Sequence, residues 1–138
     1  MALVDNRTHR VTMLCAMYFA QGVPWGFMVT ALVAYLTGEK GISQAAAGEL
    51  TAIVLVPWTF KLVWAPLIDT VTIRSMGRRR PWIIGAELMM AVSLLGILML
   101  GDLSENLRLL GWMFFIHNCF ASLQDVATDA LAIDVLPV

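Results

Sequence analysis

The stretch WIIGAELMMAVSLLGILMLG, residues 82–101, decides the class of fold. A helix needs about 20 mostly apolar residues to cross the roughly 30 Å of hydrocarbon in a bilayer. This stretch has that length and contains a single ionisable residue, Glu87. Pro81 directly before it suits the first turn of a helix, where its missing N–H group is not needed. The stretch therefore predicts a membrane-spanning helix.

The rest of the chain has the same character. Of its 138 residues, 59% are hydrophobic and only 14% are charged, where soluble domains have about 25% charged residues. The mean hydropathy is +0.78, so lipid is the expected solvent. The sequence predicts an all-α, polytopic membrane bundle of four transmembrane helices with one loop at 69–81; the helices are expected at 11–36, 46–68, 82–101 and 108–133.

Basic residues in the connections predict the orientation of the bundle. Cytoplasmic connections carry an excess of lysine and arginine. The N-terminus and the 69–81 loop hold six basic residues, and the other two connections hold two: Arg7, Arg10, Arg74, Arg78, Arg79 and Arg80 against Lys40 and Arg108. This pattern predicts a multi-pass cell-membrane protein with a cytoplasmic N-terminus. The formal net charge of −1 and the single arginine cluster do not indicate nucleic-acid binding.

The loop itself, within WAPLIDTVTIRSMGRRRPW (residues 64–82), pairs an aspartate with a triple arginine. Asp69 ends the second helix, where the helix dipole disfavours an anion by up to about 1 kcal/mol. Nearby arginines can compensate, because the second and third helices are antiparallel neighbours. We therefore predict a latch between Asp69 and Arg78 to Arg80. The alternative is that the arginines only fix the topology.

Four ionisable residues lie at membrane depth: Lys61, Glu87, Asp125 and Asp129. Each costs about 2.5–3.5 kcal/mol there and marks function by default. The heights of Lys61, Glu87 and Asp125 along their helices are comparable, so Lys61 is expected to pair with Glu87 or with Asp125. A carboxylate without a full-time partner in low dielectric tends to carry a proton, as a proton-coupled mechanism requires. The alternative is a static ion network that holds the bundle together.

The fourth helix carries a polar stripe. Asn118, Ser122, Asp125 and Asp129 are spaced by four, three and four residues, which places them on one face. A flanking polar set and an opposite apolar set follow the same spacing: His117, Gln124 and Thr128 on one side, and Ile116, Phe120, Leu123 and Ala127 on the other. The pattern indicates a water-filled cavity or a polar interface. His117 is either a hydrogen-bonded structural residue or a proton relay.

The first helix contains an interruption next to a polar residue. Gln21 precedes GVPWG at 22–26, in which Pro24 removes one backbone hydrogen bond. Broken helices are typical of substrate sites in carriers. We therefore place Gln21 with the polar stripe in a candidate pathway.

Metal, cofactor and enzymatic chemistry have little support. Cys15 and Cys119 lie in apolar runs without metal-ligand spacing and are predicted to be inert buried residues. We predict no metal site and no cofactor. Asp125 and Asp129 could serve an intramembrane enzyme, but no Ser/His dyad or further acidic cluster accompanies them, so the protein is predicted not to be an enzyme.

Three ordered motifs resemble a known family of carriers. They are FKLVWAPLID at 60–69, GRRRPW at 77–82 and QDVATDALAIDVLP at 124–137, and YFAQGVPWG at 18–26 is similar to the family's first helix. The aspartate that ends helix two and the Gly-Arg-Arg that opens helix three resemble the loop signature of the major facilitator superfamily. The longer motifs resemble one branch, the AmpG-type muropeptide permeases and their acetyl-CoA transporter relatives.

The resemblance implies a symporter that imports a muropeptide or another sugar-containing solute with protons across a bacterial inner membrane. By position, it implies a cytoplasmic gate of Asp69, Gly77 and Arg78 to Arg80. It also implies a substrate and proton pathway, which we expect to comprise Gln21, Lys61, Glu87, Asn118, Ser122, Asp125 and Asp129.

Carriers of this kind have at least twelve helices, so we interpret the chain as an N-terminal portion. Its expected partners are the lipid bilayer, a small polar solute with protons, and the remaining helices of the transporter. The alternative is a small membrane scaffold or assembly subunit without transport activity of its own.

Overall fold

A computed structural model describes residues 6–136 of the chain. Four helical segments, here called spans 1 to 4, account for most of this region, and an isolated bridge between Ile73 and Gly77 is the only β-type pairing within it. Spans 1 to 3 run over Arg7–Gly38, Gln44–Thr70 and Arg80–Leu98. Span 4 runs over Leu107–Val135. The predicted all-α class is confirmed.

Spans 1 to 3 are each long and apolar enough to cross a membrane. Span 4 has the length, 29 residues, but is not among those three helices. Its polar stripe lowers its hydropathy, and most of that stripe is buried against the other spans. Span 4 contacts each of the other spans, and its buried residues include His117, Asn118, Ser122, Gln124 and Asp125.

Two of the spans contain irregular turns close to their prolines. In span 1 an α-helix, Arg7–Gly26, continues past Pro24 into a π-helical turn, Phe27–Ala31, and then into a second α-helix, Leu32–Gly38. The predicted interruption is therefore a widened turn rather than a break. Such π turns are frequent at functional sites.

Span 2 has a comparable irregularity. The α-helix Gln44–Leu55 passes into a 3-10 segment, Val56–Phe60, whose early position is occupied by Pro57, and the α-helix resumes over Lys61–Thr70. Pro57 cannot donate a backbone hydrogen bond, which favours the tighter winding here. The irregular segment ends immediately before Lys61 and thereby sets the direction of that side chain.

Apolar side chains form two clusters, with polar residues between them. The larger cluster joins the ends of the spans near the first connection; it comprises Met28, Leu32, Leu36, Leu50, Val54, Ile97, Leu110 and Phe114. The smaller one, Ile68, Ile83 and Ala127, lies near the 69–81 loop. Ala127, predicted on the apolar side of span 4, is fully buried because it packs with Ile68 and Ile83, whereas Ile116 of the same apolar set is 45% exposed.

The outer surface of the bundle is apolar. Large exposed side chains include Phe19, Leu62, Leu98 and Met99, each more than 70% exposed. Such a surface suits lipid or further helices. The prediction that both cysteines are buried is wrong for Cys15, which is exposed on this surface, and Cys119 is only partly buried.

Candidate functional site

An ion pair connects spans 2 and 4 at the centre of the polar region. Lys61 Nζ contacts Asp125 Oδ2, and Gln21 of span 1 donates from Nε2 to Asp125 Oδ1 at 2.6 Å. The side chain of Asp125 is 11% exposed and that of Lys61 is 42% exposed. Of the two partners that the sequence left open for Lys61, the structure selects Asp125. Three spans thus meet at one carboxylate.

Two tryptophans of span 2 cover the polar stripe. Trp58 donates from Nε1 to Asn118 Oδ1 at 3.3 Å, and Trp64 donates from Nε1 to Ser122 Oγ at 2.9 Å. The Lys61 ammonium also lies 4.9 Å from the centre of the Trp58 ring. These contacts were not predicted, because tryptophan in a membrane helix usually indicates packing or an interfacial position. Asn118 and Ser122 are consequently fully buried at a polar interface.

A second carboxylate, Asp129, is held by span 1. The Tyr18 hydroxyl donates to Asp129 Oδ1. Tyr18 and Gln21 are three residues apart and Asp125 and Asp129 are four apart, so one face of span 1 matches one face of span 4. Sequence reasoning missed the role of Tyr18, although it lies in the motif at 18–26.

The third carboxylate, Glu87 of span 3, has a neutral partner. Gln124 donates from Nε2 to Glu87 Oε1 at 3.1 Å, and the same amide lies 3.4 Å from the Met17 carbonyl oxygen. Within residues 6–136, neither Glu87 nor Asp129 forms an ion pair with a lysine or arginine. The three acids therefore differ: Asp125 faces a cation, and the other two accept hydrogen bonds from neutral groups.

His117 lies apart from these acids, between spans 3 and 4. Its Nδ1 is 2.8 Å from Ser93 Oγ, and Ser93 donates to the Met90 carbonyl oxygen at 2.8 Å. The ring is 1% exposed. This arrangement favours the hydrogen-bonded structural alternative for His117 over a proton relay.

A network around Arg79 lies at the 69–81 loop. Arg79 Nη1 contacts Asp69 Oδ1, and Arg79 Nε donates to Asp134 Oδ2 at 3.2 Å. Burial of the guanidinium opposes its charge, but the hydrogen bonds to Asp69 and Asp134 hold the pKa of Arg79 above its ordinary value. Arg78 and Arg80 are exposed and form no ion pair within residues 6–136. Of the three predicted arginines, the structure brings only Arg79 to Asp69.

Asp134 is a member of this network that sequence reasoning missed. It lies one residue beyond the predicted end of the fourth helix, whereas the helix extends to Val135. The signal was present in the motif at 124–137, which contains this third aspartate. Through Asp134, the network joins the ends of spans 2 and 4 to the loop before span 3.

The loop approaches Arg79 through a tight turn. The backbone N–H groups of Met76 and Gly77 donate to the Ile73 carbonyl oxygen at 3.0 Å and 2.8 Å. Gly77 has a φ of +83°, a conformation that side chains with a Cβ rarely adopt. This explains why glycine precedes the arginines.

A separate ion pair lies at the opposite end of the bundle. Lys40, after span 1, contacts Asp102, after span 3, and the ammonium lies 5.8 Å from the Tyr35 ring centre. The hydrogen bond from Lys40, with those from Ser104, holds the pKa of Asp102 below its usual range, and the bond to Asp102 raises the pKa of Lys40. The bundle therefore has a charged contact at each end.

No group of three or more histidine, cysteine or acidic side chains within residues 6–136 has the arrangement of a metal site. The carboxylates lie beside amides, a phenol and an ammonium, which serve as hydrogen-bond donors.

Comparison with known proteins agrees with these motifs. Residues 10–138 match the family described as acetyl-coenzyme A transporter 1. The anhydromuropeptide permease of Escherichia coli (strain K12) is 33% identical over 132 residues, which cover 93% of this chain and 26% of the permease. An uncharacterized protein of Schizosaccharomyces pombe is 27% identical over 97% of this chain and 26% of its own length. No solved structure matches.

The chain spans about a quarter of the length of these curated relatives. The matches confirm the predicted resemblance to the branch that contains the muropeptide permeases and acetyl-CoA transporters.

Proposed function

We propose, because the chain belongs to the acetyl-coenzyme A transporter 1 family, that it forms the N-terminal helices of a proton-coupled carrier. Family membership supports a membrane transport protein rather than an enzyme. It also favours transport over the scaffold alternative. The proposed solute is a muropeptide or a related sugar-containing compound, on the analogy of the E. coli permease. The proposed location is a bacterial inner membrane, with the N-terminus in the cytoplasm.

The observation that carries the coupling proposal is the excess of carboxylates over cations. Asp125, Asp129 and Glu87 lie on adjoining spans, and Lys61 compensates only Asp125. An ionised carboxylate in a low-dielectric environment is stable only with a partner. Lys61 provides such a partner for Asp125 but not for Asp129 or Glu87, which are therefore the proposed proton-carrying groups.

Solute binding is proposed to act on the same cluster. Gln21 and Lys61 both bind Asp125. A polar solute that competes for either donor would change the contacts that hold spans 1, 2 and 4 together at Asp125. Solute binding would thus be linked to proton binding at Asp129 and Glu87 through the packing of these spans.

The Arg79 network is the proposed cytoplasmic gate. Asp69 and Asp134 lie at the ends of two spans, so their shared arginine holds these ends together. Opening of the bundle on this side requires at least one of the two contacts to break. The remaining helices of a full carrier, expected because the relatives are about four times as long, would complete the cavity.

Uptake of labelled anhydromuropeptide by vesicles containing the complete gene product tests the proposal. Collapse of the proton gradient should abolish accumulation. Asp129→Asn and Glu87→Gln should impair proton-driven accumulation but retain exchange of solute across the membrane. Leu123→Ala, at an apolar position of the same span, is the control. Unaltered proton-driven uptake in Asp125→Asn, Asp129→Asn and Glu87→Gln would refute the role of the carboxylates.

A further inference from the structure

The 69–81 loop carries positive charge that no carboxylate of the described chain compensates. Arg79 is turned inward, where it binds Asp69 and Asp134. The other arginines of the loop are exposed and form no ion pair within residues 6–136; they are Arg74, Arg78 and Arg80. Because Arg79 already occupies both carboxylates of its network, three outward guanidinium groups remain for an anion from outside the bundle.

The turn of the loop brings these exposed arginines together. Ile73 and Gly77 form an antiparallel bridge, and the Gly77 N–H group donates to the Ile73 carbonyl oxygen at 2.8 Å. Arg74 and Arg78 directly follow the two bridged residues, so both belong to one tight turn. Arg80 comes two residues later, as the first residue of span 3. Three positive charges are thus concentrated at one end of the bundle.

Exposed apolar side chains lie within the same loop. Val71 and Ile73 are 46% and 47% exposed. Trp82 donates from Nε1 to the Val71 carbonyl oxygen at 3.2 Å, which holds the indole beside the start of the loop. With Pro81, these three side chains line a recess of about 180 Å³. The loop therefore presents an apolar recess next to its unpaired arginines.

This combination suits the headgroup region of a bilayer. The loop joins the end of span 2 to the start of span 3, so it lies where two apolar helices leave the hydrocarbon. Basic segments beside membrane helices attract anionic phospholipids, and guanidinium groups bind phosphate through two parallel hydrogen bonds. A soluble anion would use the arginines but leave the recess in water. A phospholipid satisfies both features, because it joins a phosphate to an acyl chain.

We propose that residues 71–82 form a binding site for one anionic phospholipid of the adjacent leaflet, which is the cytoplasmic leaflet in the proposed orientation. The phosphate lies among the three exposed arginines, and the first part of an acyl chain lies in the recess. Arg79 takes no part, because it is committed to Asp69 and Asp134. The site does not depend on which solute is transported, and it places a lipid directly beside the proposed gate.

Titration of the complete gene product with lipid in detergent, followed by native mass spectrometry, tests the site. Dioleoylphosphatidylglycerol should bind more tightly than dioleoylphosphatidylcholine, which has the same chains and no net charge. Each arginine near an anionic lipid changes the binding constant about fivefold, so the combined variant Arg74→Gln, Arg78→Gln and Arg80→Gln should bind phosphatidylglycerol about a hundredfold more weakly. Its affinity for phosphatidylcholine should stay at the wild-type value.

The matched control is Arg108→Gln. Arg108 is also exposed and without an ion pair within residues 6–136, but it lies at the start of span 4, at the opposite end of the bundle. This variant should keep the wild-type affinity for phosphatidylglycerol. Ile73→Asn tests the recess: it should weaken binding of both lipids by a similar factor, because both have the same chains.

Amide exchange of Met76 and Gly77 in detergent monitors the turn in each variant and should match the wild type. If the combined variant loses the turn, Arg74→Gln alone, which should weaken phosphatidylglycerol binding about fivefold, provides the test. Wild-type phosphatidylglycerol affinity in the arginine variants would overturn the site, and so would an equal loss in Arg108→Gln. If glycerophosphoglycerol, the headgroup without chains, bound as tightly as the whole lipid, the ligand would be a soluble anion and the phospholipid assignment would be wrong.

Discussion

Two replacements of Arg79 distinguish the loss of one contact of the loop network from the loss of both. The planar guanidinium uses Nη1 for Asp69 and Nε for Asp134, so two donor atoms serve carboxylates on two spans. A lysine carries one ammonium on a flexible stem and cannot reproduce this fork. Arg79→Lys should therefore retain one contact, and Arg79→Gln should lose both charge-assisted contacts.

The magnitude follows from the exposure of the partners. Hydrogen bonds to charged groups contribute about 1.5–3 kcal/mol, and exposed ion pairs only about 0.2–1 kcal/mol. The side chain of Arg79 is 12% exposed, and those of Asp69 and Asp134 are 54% and 40% exposed. We therefore assign each contact of Arg79 a free-energy contribution of about 1 kcal/mol, between these two ranges. At about 1.4 kcal/mol per tenfold change, loss of one contact gives about a fivefold shift and loss of both about a thirtyfold shift in local opening.

Amide hydrogen exchange of the loop measures this opening. The N–H groups of Met76 and Gly77 are bonded to the Ile73 carbonyl oxygen and exchange when the turn opens. Their exchange should accelerate about fivefold in Arg79→Lys and about thirtyfold in Arg79→Gln. Arg78→Gln, one residue away and exposed, should change nothing. Equal exchange in Arg79→Gln and Arg78→Gln would refute the reasoning.

Three further perturbations test other contacts. Gly77→Ala should destabilise the loop by about 1–2 kcal/mol, seen as faster exchange, because its φ of +83° is unfavourable for alanine. Lys61→Met should lower thermal stability in detergent by about 1–3 kcal/mol, less than the 3–5 kcal/mol of a fully buried pair, because Lys61 is 42% exposed. The pKa of Asp102 is lowered in the folded protein, so its contact with Lys40 contributes its full stability above the unfolded pKa of about 3.9. This contribution is lost only as the pH falls through the folded pKa. Amide exchange near residue 102 should therefore rise only under strong acid.

Each of these predictions has a matched comparison. Gly85→Ala, in a helix with open space around its Cβ, should be neutral or stabilising. Lys61→Met should be partly rescued by Asp125→Asn, since position 125 then no longer carries a carboxylate that has lost its cation; additive losses would contradict the pairing. Asp102→Asn should make exchange of its loop insensitive to acid, and an unchanged acid response would contradict the assignment to this carboxylate.

Hydropathy was sufficient to predict the all-α class and the three apolar spans, because a bilayer demands long apolar segments with satisfied backbone groups. The stripe on span 4 also followed from sequence, because residues three and four apart share a helix face. Which arginine binds Asp69 did not follow. The sequence does not distinguish the three arginines at 78–80, because their side chains are identical. The turn at Gly77 directs Arg79 toward the spans.

The amino-acid sequence by itself determined an all-helical membrane protein with a polar fourth span and a charged loop after the second. Tertiary structure decided the partners: Lys61 with Asp125 rather than Glu87, Tyr18 with Asp129, and Asp134 with Arg79. The physical reason is that periodicity fixes the face of one helix on which a residue lies. The rotation and height of neighbouring helices, here set partly by the irregular turns at Phe27–Ala31 and Val56–Phe60, fix which faces meet.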